Sequence, residues 1–255
     1  MRKIGLKLYS TNDNYRKPAL ALFGEGVYDF IELLPVPGSY DATLPRWRDI
    51  QTPFVVHAPH FTHGVNLGRR ELFEKNMTSA KETLAFADAL HAKYIIFHPG
   101  TQGDINESAR QMKAISDPRV LVENKPYRTV DGRFKCIGGS HEEIRQVMET
   151  AGVGFCLDIG HSISYAKNIG ADWYAYLRGF LAMKPSMIHV SDGDVDSGAD
   201  THSHIGAGNY EWGRIIPMLP ENALVTIETK KDSHDSLEDF RMDAANFKRL
   251  SLMAG

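Results

Sequence analysis

Short apolar runs alternate with longer amphipathic stretches along the whole chain. Runs of β-branched and aliphatic residues are typical of strands, and apolar residues at helical spacing are typical of helices. The runs predict eight strands, over residues 4–9, 28–34, 54–59, 94–98, 120–123, 154–159, 187–191 and 224–228. The remaining stretches predict helices over 18–23, 44–50, 69–90, 105–115, 141–150, 172–183, 212–218 and 236–252.

Strands that alternate with helices predict a parallel sheet. The predicted strands are continuously apolar, as strands are when both faces of a sheet are covered. Eight repeats in 255 residues favour a closed (β/α)8 TIM barrel, and the first turn lacks the Gly-x-Gly-x-x-Gly loop of open dinucleotide-binding sheets. We therefore expect an α/β protein with a single domain over residues 1–255.

Histidines and carboxylates stand at the ends of most predicted strands. The C-terminal ends of barrel strands converge on one rim, so side chains placed there meet. Imidazole and carboxylate groups are ligands for Zn²⁺ and related ions. The candidate metal ligands are His57, His98, Glu123, Asp158, His161, His189, Asp200, His202 and Glu228.

Each candidate ligand has a simpler interpretation when it is taken alone. A strand-end histidine is more often hydrogen-bonded than metal-bound, a strand-end glutamate is usually solvated, and Asp200 to His202 also fits a polar loop. Together, however, four carboxylates and five histidines would share one pocket. Buried carboxylates are rare unless they are paired or bind a metal, so the joint placement predicts a metal centre.

Local spacing gives three further predictions. Asp158 and His161 would face opposite ways in a continuing strand, so Gly160 must turn the chain if both are to reach the rim. Asp200 and His202 are two positions apart and share one face if the segment is extended. Asn124 is expected to orient the Glu123 carboxylate through a hydrogen bond.

Four residues outside the ligand set are candidates for substrate binding: His60, His204, Arg128 and Lys230. His60 and His204 fall near the predicted site, where an imidazole contacts substrate or carries a proton. Arg128 belongs to a basic stretch, residues 125–135, that is suited to holding phosphate. A solvated loop is the simpler alternative for that stretch.

Composition narrows the class of protein and its location. Apolar residues make up 42% and charged residues 24%, as in ordinary globular proteins. The chain contains no apolar run near the roughly 20 residues that span a bilayer and no apolar signal core at its start, which predicts a cytoplasmic protein without membrane association. Its two cysteines, Cys136 and Cys156, are expected to be free thiols.

The formal charge of −3 argues mildly against nucleic acid as a partner. Three divalent ions would add six positive charges and bring the total to +3, concentrated in the site. Net charge therefore leaves a nucleic-acid partner open. The sequence gives no indication of an oligomeric state.

The motifs resemble those of the endonuclease IV and xylose-isomerase-like superfamily of TIM barrels, which includes family 2 of the abasic-site endonucleases. The resemblance extends over nearly the whole chain. It is carried by Val56-His57-Ala58-Pro59-His60, Phe97-His98-Pro99-Gly100, Val122-Glu123-Asn124, Leu157-Asp158-Ile159-Gly160-His161, His189-Val190-Ser191-Asp192, Asp200-Thr201-His202 leading into Ile205-Gly206-Ala207-Gly208, and Ile227-Glu228-Thr229.

Resemblance to endonuclease IV implies three zinc ions that cleave a phosphodiester beside an abasic site in DNA. It assigns the first ion to His57, His98 and Glu123, and the third to His161, Asp200 and His202. Glu123 would bridge to a second ion held by Asp158, His189 and Glu228, which makes Glu123 and Glu228 the expected catalytic residues.

Sugar isomerases and epimerases of the superfamily imply a different chemistry. They keep only the inner four ligands, here Glu123, Asp158, His189 and Glu228, around one Mn²⁺, Mg²⁺ or Co²⁺. The two glutamates then exchange protons with a sugar substrate. The five outer ligands favour a phosphodiester hydrolase, with the isomerase as the alternative and a metal-stabilised binding protein as a third interpretation.

The sequence departs from the endonuclease pattern at several places. Gly160 stands where the endonucleases have cysteine, and His60 stands where they have an aromatic residue. The loop after the second predicted strand, residues 35–40, is short and uncharged, whereas reading DNA there calls for basic or wedge-like residues. The substrate therefore stays open between abasic DNA and a smaller phosphodiester.

Overall fold

The computed structural model describes residues 2–253. Within that range the strands are β1 (Lys3–Tyr9), β2 (Phe30–Leu34), β3 (Phe54–His57), β4 (Ile95–Phe97), β5 (Gly100–Thr101), β6 (Val120–Glu123), β7 (Cys136–Ile137), β8 (Gly154–Asp158), β9 (Met187–Val190) and β10 (Leu224–Ile227). The α-helices are α1 (Asp13–Gly24), α2 (Tyr40–Arg48), α3 (Phe73–Ala89), α4 (Ile105–Ile115), α5 (His141–Ala151), α6 (Ile159–Asn168), α7 (Trp173–Leu181), α8 (Trp212–Ile215) and α9 (Glu238–Met253).

Eight strands form a closed parallel barrel in the order β1-β10-β9-β8-β6-β4-β3-β2. The barrel closes where β1 pairs with β10, with Leu6 beside Ile227. The predicted TIM barrel is therefore confirmed, and each predicted strand lies within about two residues of an observed one. Across the described residues, none of the helices combines the length and the apolar character that a membrane span requires.

Several helix ends differ from the predicted ones, as at α1, which begins at Asp13 rather than at residue 18, and two unpredicted features lie near the barrel mouth. Residues 159–168, which follow the strand of Asp158, form α6, whereas no helix was predicted there. In addition, β5 and β7 pair antiparallel beside the barrel mouth. Their two-residue length leaves no periodic signal in the sequence, because period-2 alternation needs several residues to be visible.

The barrel interior has an apolar layer beneath a polar one. The apolar layer consists of Phe30, Val55, Ile96, Leu121, Cys156 and Met187. Side chains alternate between the two faces of a strand, so the residue two positions after each of these also points into the barrel. In every case that residue is polar. Those polar residues are Glu32, His57, His98, Glu123, Asp158 and His189.

Gly5 shows how tightly the apolar layer is packed. A Cβ atom at this position would lie 2.4 Å from the Phe30 ring and 2.9 Å from Thr226 Oγ1. The missing side chain makes room for Phe30 inside the barrel. The outward faces of the strands pack against the helices, where Trp47, Phe86, Phe180 and Phe240 are fully buried.

Candidate metal centre

The first ligand group joins three neighbouring strands and is called the Glu123 triad: His57, His98 and Glu123. His57 Nε2 lies 3.2 Å from Glu123 Oε2, and His98 Nε2 lies 3.1 Å from the same oxygen. Glu123 and His57 are fully buried, and the side chain of His98 is 12% exposed. Two imidazoles and one carboxylate thus converge on a single point.

The second group is called the Asp200 triad: His161, Asp200 and His202. Asp200 Oδ2 lies 3.1 Å from His161 Nε2 and 2.9 Å from His202 Nε2. His161 comes from the first turn of α6, whereas Asp200 and His202 come from the loop after β9. His161 also links the two groups, since its Nδ1 lies 3.1 Å from Glu123 Oε1.

Hydrogen bonds to backbone carbonyls determine which ring nitrogen of three histidines is free to bind a cation. A carbonyl that accepts the Nδ1 proton leaves the Nε2 lone pair free to bind a cation. These contacts are His57 Nδ1 to Ala58 O at 2.8 Å, His161 Nδ1 to Asn124 O at 2.8 Å, and His202 Nδ1 to Glu228 O at 2.7 Å. The available nitrogens are therefore the ones that face Glu123 and Asp200.

In His189, unlike those three histidines, Nε2 is occupied and Nδ1 faces the other candidate ligands. Its Nε2 lies 2.9 Å from Glu32 Oε2, and its Nδ1 lies 2.8 Å from Glu228 Oε1 and 3.4 Å from Glu123 Oε2. Lys7 forms a hydrogen bond with Glu228 and an ion pair with Glu32, with 3.3 Å between Nζ and Oε1. Within residues 2–253, Glu228 groups with Glu32 and His189, rather than with Asp158 as the resemblance implies.

An orphaned polar atom provides a test of whether these residues suit a metal ion. Within residues 2–253, Asp200 Oδ2 is buried and has no hydrogen-bond partner, although His202 Nε2 lies 2.9 Å from it. Buried polar atoms are rarely left unsatisfied unless an ion or water completes them. The Asp200 triad therefore fits a divalent cation, and the nitrogen and oxygen donors of both triads suit zinc. His189 Nδ1, outside both triads, is also buried without a hydrogen-bond partner and lies 2.8 Å from Glu228 Oε1.

In the Asp200 triad, the imidazoles and the carboxylate stabilise each other's charged forms against the effect of burial. Burial alone lowers the pKa of His202, but Asp200 outweighs it and raises that pKa to about 9. Burial likewise opposes the charge on Asp200, but His202 and His161 hold its pKa well below the usual value. Burial raises the pKa of Asp158, with Asp200 and Glu123 adding to the effect and His161 opposing it. Protons and cations therefore compete for the same atoms.

Asn124 acts on a different residue from the one predicted. Its side chain accepts a hydrogen bond from Asp158 N at 2.8 Å and donates one to Asp158 O at 2.9 Å, so it holds the end of β8 rather than the Glu123 carboxylate. Asp158 then caps α6 by accepting from His161 N at 2.7 Å. The turn assigned to Gly160 is thus the start of a helix, which brings His161 back to the rim.

The second local prediction needs a correction as well. Asp200 and His202 do not lie on one extended segment, because His202 has a φ of 47°, in the left-handed region. The neighbouring Ser203 pairs antiparallel with Asp192, which holds this bend in place. Both side chains nevertheless reach the same point.

The four candidate substrate residues occupy different places. His60 stacks on the ring of His98, a member of the Glu123 triad, with 5.0 Å between centroids. Both ring nitrogens of His204 are occupied, at 2.8 Å from Asp243 and 3.1 Å from Asp232. Arg128 and Lys230 are exposed. Only His60 of the four lies against the ligand rings.

Sequence reasoning assigned no role to Lys7 and Glu32, and placed Lys125 only in a basic loop. Lys125 Nζ lies 3.3 Å from His98 Nε2 and 3.4 Å from Glu123 Oε1, with the side chain 10% exposed. For Lys7 and Glu32 the available signal was a single charged residue inside an otherwise apolar strand, in Gly-Leu-Lys-Leu and Phe-Ile-Glu-Leu. Such a residue is inward-facing by alternation, and it needs a partner there.

Comparison with known families places this geometry in context. The family model described as "Xylose isomerase-like TIM barrel" matches residues 26–250. The chain belongs to this family. The predicted superfamily is thereby confirmed.

Among curated relatives, the chain is similar to Endonuclease 4 of Thermus thermophilus, with 29% identity over 207 residues. That alignment covers 74% of this chain and 73% of the relative. Alignments to probable endonuclease 4 proteins of Staphylococcus carnosus and Oceanobacillus iheyensis span only 57% of those proteins.

Solved structures agree on the fold. A D-tagatose 3-epimerase-like protein superimposes with a TM-score of 0.72 at 15% identity, covering 99% of this chain and 98% of its own. A crystal structure of endonuclease IV from Thermus thermophilus gives a TM-score of 0.68 at 20% identity, covering 97% and 99%. Proteins named for both chemistries thus share this barrel.

Proposed function

We propose that this protein is a multinuclear metal-dependent hydrolase of phosphodiester bonds. The observation that carries the proposal is the pair of triads, the Glu123 triad and the Asp200 triad, linked through His161. Three protein ligands per ion leave a coordination position open, as in catalytic rather than structural zinc sites. A single-ion isomerase has no use for the second triad.

Bound divalent ions supply Lewis-acid chemistry, offsetting phosphate charge and favouring the ionisation of water. The protein's own residues then bind and orient the substrate. Glu123 holds its two carboxylate oxygens toward different partners, Oε2 toward His57 and His98 and Oε1 toward His161. The buried Lys125 ammonium beside Glu123 is placed to contact a phosphate oxygen.

The surroundings of the site support a substrate that carries phosphate. Lys125 begins a hairpin in which Arg128 pairs with Lys135 across the two arms and Arg133 contacts Asp131. This hairpin offers exposed positive charge for the phosphates of abasic DNA or of a smaller phosphodiester. His60 provides a ring beside His98 for a substrate contact. Zinc as the metal and a cytoplasmic location stay predictions from the sequence.

The test compares phosphodiester cleavage by the zinc-loaded protein and two variants. Glu123→Gln removes the charge shared by three imidazoles, so we expect kcat to fall at least about 100-fold. Glu149→Gln, on the exposed face of α5, is the matched control and should change nothing. The substrates are an abasic-site duplex and bis(p-nitrophenyl) phosphate. Absence of cleavage of both, with Zn²⁺, Mn²⁺ or Mg²⁺, contradicts the proposal.

One observation favours the alternative, a sugar isomerase or epimerase with a single ion. Glu123 and Glu228 both approach His189 Nδ1, at 3.4 Å and 2.8 Å, so two carboxylates flank one ligand atom. That arrangement suits proton exchange with a substrate carbon. A protein that holds one Mn²⁺ per chain and interconverts ketoses without cleaving phosphodiesters would support this alternative.

A further inference from the structure

Lys7 occupies the position on β1 that the ligands occupy on the other strands. In the barrel register it lies beside Glu32 of β2, and its side chain is 18% exposed. Its ammonium contacts Glu228 on one side and Glu32 Oε1 at 3.3 Å on the other. A positive charge fixed to the protein therefore stands among the carboxylates of the metal centre.

Glu32 holds Lys7 in this place. Its carboxylate is fully buried, and its Oε2 is already occupied by His189 at 2.9 Å and by Thr226 at 2.7 Å. Its salt-bridge partners within residues 2–253 are Lys7 and His189. Removal of Lys7 would leave Oε1 with no cation, which is costly for a buried carboxylate.

We propose that Lys7 replaces one divalent ion, so that this chain binds two ions, one at each triad. This inference rests on the proposed function, and it concerns the ion that family resemblance assigns to Asp158, His189 and Glu228. Glu228 and Lys7 neutralise each other, and Glu228 anchors the ammonium instead of binding an ion. An additional dication beside Lys7 would be repelled at close range.

Lys125 is not equivalent to Lys7. Its ammonium has one carboxylate contact, at 3.4 Å, and it lies on the segment that follows β6. The Lys7 side chain, in contrast, rises from the middle of β1 and bridges two carboxylates. Lys7 is therefore held by two carboxylates and Lys125 by one, so a cation arriving at the Glu123 triad competes with the more weakly held ammonium.

Zinc content per chain tests the inference. The protein and its variants are saturated with Zn²⁺, freed of loose metal by gel filtration and measured by elemental analysis. We expect two ions in the natural protein and three in Lys7→Met, which removes the charge but keeps the side-chain length. Lys3→Met, at the exposed start of the same strand, is the matched control and should hold two.

Two more variants keep the test decisive if Lys7→Met does not fold. Lys7→Met combined with Glu32→Gln removes both charges together and should bind three ions. Glu228→Gln should still hold two, because neither ion uses that carboxylate. Three results would overturn the inference: three ions in the natural protein, two ions in both Lys7 variants, or one ion in Glu228→Gln. Each of them leaves a multinuclear hydrolase in place. A count of one or none in the natural protein overturns the proposed function as well.

Discussion

Single hydrogen bonds decide which atom of each ligand faces the metal centre. The carbonyls of Ala58, Asn124 and Glu228 select Nε2 as the available nitrogen of three histidines. Glu32 selects Nδ1 of His189 by occupying its Nε2. Such contacts restrict each ring to one tautomer and one orientation before any ion binds. The ligand geometry is therefore set largely by neighbours that bind no ion themselves.

Asn124 provides a test at this scale. It is fully buried and satisfies both backbone groups of Asp158. Asn124→Ala leaves a buried N–H and a buried C=O without their partner, so we expect the free energy of unfolding to fall by about 2–4 kcal/mol. Urea denaturation measures the loss, with Asn14→Ala, exposed on α1, as the control. A change under about 0.5 kcal/mol would show that water replaces the amide.

At the scale of elements, each barrel strand combines a position in the apolar layer with one in the polar layer. Leu121 and Glu123 of β6 are an example, with the apolar side chain below the carboxylate. Parallel pairing then places the polar residues of neighbouring strands side by side, as for Asp158 of β8 and His189 of β9. Polar contacts within the connections between strands also contribute to stability, as at Asp117 and Arg119.

The connection from α4 to β6 predicts a pH-dependent contribution to stability. Asp117 accepts hydrogen bonds from Arg119 N, Nε and Nη2 at 2.8, 3.0 and 2.7 Å. The bonds from the Arg119 side chain lower the pKa of Asp117 and outweigh its burial. A lowered folded-state pKa stabilises the fold above the unfolded pKa of about 4, and the contribution is lost as pH falls from there through the lowered folded-state pKa.

We therefore expect Asp117→Asn to cost about 1 kcal/mol at pH 7 and less at pH 2.5. Urea unfolding at both pH values measures the difference. Asp88→Asn is the control, because the Asp88 side chain is 69% exposed and has a single contact with Arg119, at 2.6 Å. An equal cost of Asp117→Asn at both pH values would show that the charge of Asp117 is not involved.

At the scale of the whole molecule, barrel closure joins the two ends of the chain. Pairing of β1 with β10 places Lys7 against Glu228, which are 221 positions apart. The candidate metal centre likewise draws on most strands of the barrel, so metal binding there would be linked to folding. An ion that binds only the folded chain stabilises all of these elements together.

Removal of metal should therefore lower the melting temperature. Two sites, each saturated at 100 times its Kd, contribute about 5 kcal/mol, which corresponds to a shift of about 10 °C or more for a domain of this size. Calorimetry with zinc and with excess EDTA measures the shift. Asp200→Asn weakens one triad and should reduce the shift by roughly half. The same melting temperature with and without EDTA would exclude tight binding at either triad.

The sequence by itself determined the barrel and the identity of the nine candidate ligands that the fold brings to one rim. Both depend on local pattern: eight apolar runs, and polar residues such as His57 and Glu123 at their ends. Tertiary structure alone decided what those residues contact. The helix that begins at Ile159, the left-handed backbone of His202 and the Lys7–Glu32 pair depend on neighbours far away in the chain. Periodicity shows which face a side chain takes, whereas only closure of the barrel determines its partners across the interior.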